Sequence, residues 1–187
     1  MRIKPCLFDL DGTLADHTKA LLRDMETIRS PNDPPVHRHD DGEPEWVKER
    51  KKLIRSQRDW WVNLERMELG FDLYNVAREI GFQINVLTKG PWTCPHAWTE
   101  KVIWCRKHLH EDVKITISED KSIVYGRVLV DDWEPYVKGW LQFRPRGLVV
   151  MPKNDENAHV RHPQVIIYDG TNLPEVRARM EYAFNRE

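Results

Sequence analysis

Residues 5–16 read Pro-Cys-Leu-Phe-Asp-Leu-Asp-Gly-Thr-Leu-Ala-Asp. The apolar run from Pro5 to Leu10 is too short for a buried helix and runs into Asp-Gly, so it predicts a strand that delivers its last residues to a loop. Alternate residues of an extended chain project to one face, which puts Asp9 and Asp11 on the same side. Gly12 lets the chain turn sharply after them, and Thr13 offers a hydroxyl and an amide near the same point. Two carboxylates facing one site can hold a hard cation. Taken alone, such a stretch is more often a solvated turn or a calcium-like loop than a catalytic centre; its weight comes from what recurs downstream.

Working outward, short β-branched runs follow at Ile84 to Thr88, Val113 to Ile117, Arg127 to Asp131, Leu148 to Met151 and Val165 to Tyr168. Helical or loop segments separate them, an alternation that predicts a parallel sheet with helices on its faces. Several runs end in polar residues: Asp9 to Asp11, Thr88, and Asp131 with Asp132. In open α/β sheets, functional groups collect at the carboxyl ends of strands, where loops converge. Lys121 in SEDKS precedes the Asp131-Asp132 pair and adds a cation to this series.

Between the first two strands the pattern is mostly helical. Leu21, Leu22, Met25 and Ile28 are spaced as in a helix; four prolines break periodicity between Ser30 and Pro44. Helix is expected to resume from Glu45 to Met67, and again from Phe71 to Ile80, closed by Gly81. Trp98 to Leu109 and Leu173 to Phe184 also have helical spacing.

The bulk numbers bound the function. The 187 residues suffice for one substantial core and a sizeable insertion, but hardly for two independent domains. A formal net charge of −1 leaves no overall positive field to hold a long nucleic-acid duplex, so an anionic substrate must be met locally. Cys6, Cys94 and Cys105 are an odd number, which argues against a disulfide framework. No segment approaches the length needed to span a bilayer, and a cytoplasmic setting is the expectation.

DLDGT, VLTKG, the DK of SEDKS, and VLVDD together resemble the four motifs of the haloacid dehalogenase (HAD) superfamily. The resemblance implies a three-layer, Rossmann-like α/β fold with a mainly parallel sheet and a small helical cap inserted after the first strand. The catalytic body would comprise residues 1–15 and 83–187, and the cap residues 16–82. It also implies that Asp9 is a nucleophile toward phosphorus and Asp11 the general acid and base, with Thr88 and Lys121 binding the transferring phosphoryl group. Mg²⁺ would be held by Asp9, Asp132 and the backbone carbonyl of Asp11, with Asp131 nearby or joined through water. These residue types suit the chemistry: a phosphomonoester dianion repels a carboxylate until cationic charge offsets it, and Mg²⁺ takes oxygen ligands.

A closer similarity, carried by VLTKGP, EKVIWCRKHL and SEDKSIVYGRVLVDDW, is to the 5′(3′)-deoxyribonucleotidase family. That implies hydrolysis of nucleoside monophosphates, with a preference for deoxyribose forms and an aromatic base pocket. Trp60 and Trp61 could stack a flat group there, or simply fill the cap core. Four positions depart from the family pattern: Glu119 stands for a basic residue, Lys89-Gly90 for a small hydroxyl residue and proline, and His17 for an aromatic. Lys89 could bring a second positive charge to the phosphate, or face solvent.

Other readings stay open from sequence. The substrate could be a sugar phosphate or a nucleic-acid 3′ end, or the chain a non-catalytic nucleotide-binding protein. A homodimer is compatible with all of these. Cys94, His96, Cys105, His108 and His110 cluster along the chain, as do His37 and His39, without a clean zinc spacing. Trp133 to Trp140 is expected to dock the loop after Asp132 against the body.

Overall fold

The computed structural model describes residues 3–35 and 42–187. Six strands form one sheet: β1 (Pro5–Phe8), β2 (Gln83–Thr88), β3 (Lys114–Ile117), β4 (Val128–Val130), β5 (Leu148–Pro152) and β6 (Val165–Tyr168). Their order is β3-β2-β1-β4-β5-β6, and every pairing is parallel. The chain therefore builds outward from β1 in one direction, then crosses to its other side at β4. That reversal places a crevice at the carboxyl ends of β1 and β4, where open α/β sheets bind their ligands.

Alternation along the strands sets the layers. Cys6 and Phe8 join Val86, Val128, Val130 and Val150 in a core with residues of α3 (Glu68–Ile80), α4 (Pro95–His108) and α6 (Leu173–Asn185). Leu7, on the other face, meets Leu87, Leu129, Val149 and Met151 under Val137, Trp140 and Leu141 of α5 (Glu134–Gln142). Both faces are covered, as a parallel sheet requires. This is the expected three-layer α/β arrangement with helices inserted after the first strand.

The insertion differs in detail from the sequence expectation. Helix α1 (His17–Thr27) and helix α2 (Glu45–Arg55) share a small core of Leu21, Met25, Val47 and Ile54. The helix expected over 45–67 stops at Arg55. The Arg55 carbonyl accepts from the Trp61 indole (3.0 Å) and the Cys94 thiol (3.2 Å). The Glu100 carboxylate accepts from the N–H groups of Asp59 (2.9 Å) and Trp61 (3.1 Å), and Asp59 is left-handed at φ 65°. Contacts from α4 thus outcompete continuation of the helix. Helix α3 packs on the sheet rather than on α1 and α2, and Gly70 makes its approach feasible: a Cβ there would lie 1.7 Å from the Thr13 carbonyl oxygen. Gly81 ends α3 at φ 97°, as its sequence position predicts. Among the described residues no helix is long and apolar enough to cross a membrane.

Candidate active site

Asp9 continues the line of β1, its N–H donating to the Val130 carbonyl of β4 (2.8 Å). The next residues coil tightly: the Leu10 carbonyl accepts from Thr13, Leu14 and Ala15, and Gly12, at φ 80°, donates to Ala15. This turn fixes Asp9 and Asp11 by backbone geometry. Lys121, in a 3-10 turn over Lys121–Ile123 begun by the Asp120 side chain, lies 2.7 Å from Asp9 Oδ1 and 2.7 Å from Asp131 Oδ2. Tyr136 presents its ring 4.4 Å from the same ammonium.

Asp9, Asp131 and Asp132 are all buried, and one carboxylate oxygen from each lies within 4.8 Å of the others. Such an all-oxygen set fits a single hard divalent cation. Burial pushes the carboxyl pKa of Asp9 upward; Lys121 opposes this and Asp11 adds to it. Burial raises Asp131 likewise, against Lys121 and with Asp9. For Lys121, burial pulls down, but Asp131 and Asp9 more than reverse it, so the ammonium is held charged. A divalent cation would return the carboxylates toward their ionised forms.

Asp132 is oriented from two sides. Its Oδ1 accepts from the Thr13 hydroxyl at a long 3.4 Å, and its Oδ2 from Asn154 Nδ2 (3.2 Å). Asn157 Nδ2 bridges the carbonyls of Asp132 (3.2 Å) and Pro152 (2.8 Å). Neither asparagine was singled out by sequence, because nothing in a loop after β5 marks them.

A larger omission is Lys101 on α4. Its buried ammonium donates to Asp11 Oδ2 (2.5 Å), the Lys89 carbonyl (2.5 Å) and the Thr88 hydroxyl (3.3 Å), and lies 4.7 Å from the Trp61 ring. The other Asp11 oxygen, Oδ1, is buried with no partner. A lysine inside an amphipathic helix ordinarily faces solvent, so its pattern gave no signal.

Asp9, Asp11, Lys101, Lys121 and Asp132 line a cavity of about 440 Å³ that also takes in His17, Glu43, Lys51, Arg55, Trp61, Lys89 and Tyr136. The aromatic pair divides. Trp61 lines the cavity beside His17, ring centroids 5.3 Å apart. Trp60 does not; its indole donates to Asp24 of α1 (2.7 Å). Thr88 is buried under Lys101's contacts and does not line the cavity, whereas the Lys89 side chain is exposed at its rim. Glu43 and Lys51 pair, and Arg55, whose Nε donates to the Lys51 carbonyl (3.1 Å), has no partner for its terminal nitrogens among the described residues. Trp133 to Trp140 does dock as expected: Trp140 is buried, and its indole donates to the Val124 carbonyl (3.1 Å).

The zinc candidates do not assemble. Of these candidates Cys94 meets His96 alone, and among the described residues the three aspartates are the only group of three or more potential ligands. His37 and His39 lie outside the described residues.

With this geometry fixed, comparison adds the family. The model of 5′ nucleotidase, deoxy (pyrimidine), cytosolic type C protein (NT5C) matches residues 3–168. The chain belongs to the NT5C family. As an NT5C-family protein with the buried aspartate cluster, it is a HAD-fold hydrolase of phosphomonoesters. Solved structures share its fold at low identity. A HAD family hydrolase from Deinococcus radiodurans, with bound phosphate and sodium, is 12% identical with a TM-score of 0.57, covering 97% of this chain and 96% of that one. The HAD hydrolase YfnB from Bacillus subtilis, bound to magnesium, is 15% identical with a TM-score of 0.53, over 95% and 100%. A HAD hydrolase of family IA, variant 3, from Entamoeba histolytica is 10% identical with a TM-score of 0.53, over 98% and 100%. A comparison with curated proteins gives no match.

Proposed function

We propose that this NT5C-family phosphatase hydrolyses nucleoside 5′-monophosphates, deoxyribose forms foremost, with Asp9 as nucleophile and Asp11 as acid and base. The observation that carries the roles is the contrast between the two carboxylates. Asp9 is held by Lys121, whereas Asp11 has one oxygen on Lys101 and the other buried without a partner beside the cavity.

In the first step an Asp9 oxygen bonds to phosphorus as the ester P–O bond breaks, and protonated Asp11 gives its proton to the leaving alkoxide. In the second, the Asp11 carboxylate takes a proton from water, whose oxygen attacks the aspartyl phosphate and releases inorganic phosphate with Asp9 regenerated. Lys121 offsets the charge gathered at phosphorus, and Lys89 contributes at the β2 end, where the Thr88 hydroxyl accepts from Lys101 instead of facing the cavity. Asp9, Asp132 and the Asp11 main-chain carbonyl would hold Mg²⁺, with Asp131 reserved for Lys121. Bound there, Mg²⁺ supplies positive charge that offsets repulsion between the phosphate dianion and Asp9.

Support for a nucleoside leaving group comes from the far end of the cavity. Trp61 and His17 offer flat faces, and Glu43, Lys51 and Arg55 offer donors and an acceptor to the edge of a base. A volume of about 440 Å³ is on the scale of a mononucleotide-sized ligand. We assign the closing unit to α1 and α2, which have their own core, with α3 as part of the body.

The test is phosphate release from ribo- and deoxyribonucleoside monophosphates, sugar phosphates and 3′-phosphorylated oligonucleotides, with and without Mg²⁺, using the natural protein and Asp9→Asn. The expected result is Mg²⁺-dependent turnover of the mononucleotides, abolished in Asp9→Asn. Turnover of oligonucleotide ends alone, or undiminished turnover by Asp9→Asn, would contradict the assignment.

A further inference from the structure

At the opposite end of the sheet, before β4 and β5 begin, lies a second cavity of about 270 Å³. Arg127, Arg144, Arg146 and Arg186 line it, with Tyr125 and Phe143. Its construction is legible in the sequence Phe-Arg-Pro-Arg-Gly at 143–147. The Gly147 N–H donates to the Arg144 carbonyl (2.7 Å), closing a turn with Pro145 at the position where its fixed φ is favoured. Gly147 is required because a Cβ would stand 2.4 Å from the Trp140 ring. The turn presents the Arg146 carbonyl to Arg186, just past the end of α6, while Arg144 reaches the Ser122 carbonyl.

What distinguishes this cluster is how its charges are held. Arg127 donates to the carbonyls of Ala183 (3.1 Å), Phe184 (3.0 Å) and Arg186 at the end of α6. Arg186 donates to the carbonyls of Arg146 and Arg127, and Arg144 to that of Ser122. Every one of these acceptors is a neutral backbone oxygen. Among the described residues none of the four guanidinium groups forms an ion pair, and Glu187 is the one carboxylate side chain lining the cavity. Arg144 Nε is buried with no hydrogen-bond partner among the described residues, although the guanidinium lies 5.3 Å from the centroid of the Trp140 ring. Burial, then the charges of Arg127 and Arg146, hold the Arg186 pKa below its usual value, as expected of like charges crowded without a counter-ion. A buried unmade hydrogen bond on a charged donor is costly, and four unneutralised guanidinium groups in one concavity favour an anion.

We propose that this cavity is a second binding site, remote from Asp9, for a nucleotide whose phosphoryl group meets Arg144, Arg146 and Arg186. The aromatic rim selects a nucleotide over a bare anion: Tyr125 is 57% exposed and Phe143 65% exposed, and both line the cavity, so a base has a face to stack against. Arg127 is buried on the α6 carbonyls and serves mainly to hold the floor. The site would report nucleotide concentration to the protein independently of catalysis.

The experiment is calorimetric titration of ATP, with inorganic phosphate as a second probe, into the full chain carrying Asp9→Asn in EDTA. The same titration is made after adding Arg144→Gln and Arg146→Gln, with Arg146→Glu alone as a variant at an exposed side chain. The proposal expects ATP to bind more tightly than phosphate, and affinity to fall by about tenfold or more in either arginine variant, the effect of losing one charged hydrogen bond. With Asp9 restored, Arg146→Glu, at an exposed side chain, should leave phosphatase turnover and Tm intact. Equal ATP affinity with and without the arginine changes, or no ATP binding, would overturn it. Binding of single-stranded RNA through these arginines without binding of ATP would overturn it too.

Discussion

Replacing Lys121 with methionine tests the electrostatic core of the site. The side chain keeps its length and apolar stem but loses an ammonium that lies 2.7 Å from each of two buried carboxylates. At an effective dielectric constant of about 20, each contact is worth about 6 kcal/mol before desolvation. Most of that is offset by the cost of burying the three ions, and breaking a buried pair by removing one partner leaves a net loss of about 3–5 kcal/mol. For a chain of this size, that lowers Tm by roughly 6–20 °C.

The assay is urea unfolding in EDTA, followed by thermal unfolding over a range of pH. Burial already raises the pKa of Asp9 and Asp131, so the folded state binds protons more tightly than the unfolded one, and stability falls as pH rises through the folded values. Removing Lys121 takes away the group opposing those shifts. The deficit of Lys121→Met should therefore grow as pH rises through about 7, the folded pKa of Asp131, and shrink as pH falls toward about 4, where unfolded carboxylates also protonate. Adding Asp131→Asn should recover part of the stability, but turnover should stay down by about 10²–10³-fold, the usual effect of deleting one group that stabilises transition-state charge. If Lys121→Met unfolds within about 0.5 kcal/mol of the natural protein at neutral pH in EDTA, the account of Lys121 as the counter-ion of this cluster is wrong.

Two further outcomes separate roles that sequence left together. Asn154→Ala and Asn157→Ala should each raise the Mg²⁺ concentration for half-maximal activity by about 10–100-fold, because they orient Asp132; unchanged Mg²⁺ titrations would refute that positioning. Trp61→Ala should raise KM for nucleotides, whereas Trp60→Ala, whose indole is spent on Asp24, should leave KM unchanged and lower stability by about 1–3 kcal/mol. Steady-state kinetics and denaturant unfolding of the two variants decide it.

The strands were readable because β1 is a short apolar run and the others are short β-branched runs, and because Asp9, Thr88 and Asp131-Asp132 sit at strand carboxyl ends. The end of α2 was not readable. Glu45 to Met67 keeps apolar residues at helical spacing, and only contacts with Cys94 and Glu100, about forty residues on, stop it at Arg55. The same limit hid Asn154 and Asn157, ordinary loop residues whose meaning lies in their distance from Asp132. Trp60 and Trp61 are indistinguishable in sequence, and the turn before them assigns one to α1 and the other to the cavity.

Glu100 and Lys101 explain how the insertion and the catalytic loop come to share one geometry. They are adjacent on α4, a helix fixed to the sheet by Trp104, which is fully buried and donates its indole N–H to the Leu64 carbonyl (2.8 Å). Glu100 grips the N–H groups of Asp59 and Trp61, and Lys101 grips Asp11 while lying under the Trp61 ring. The chain returning from α2 and the Asp11 carboxylate are therefore tied to the same helical turn. A displacement of Trp61 by substrate would act on the lysine that holds Asp11, and a shift of α4 would move both. The roles proposed for Trp61, selection of the leaving group, and for Asp11, proton delivery to it, would on this geometry form one coupled arrangement rather than two separate sites.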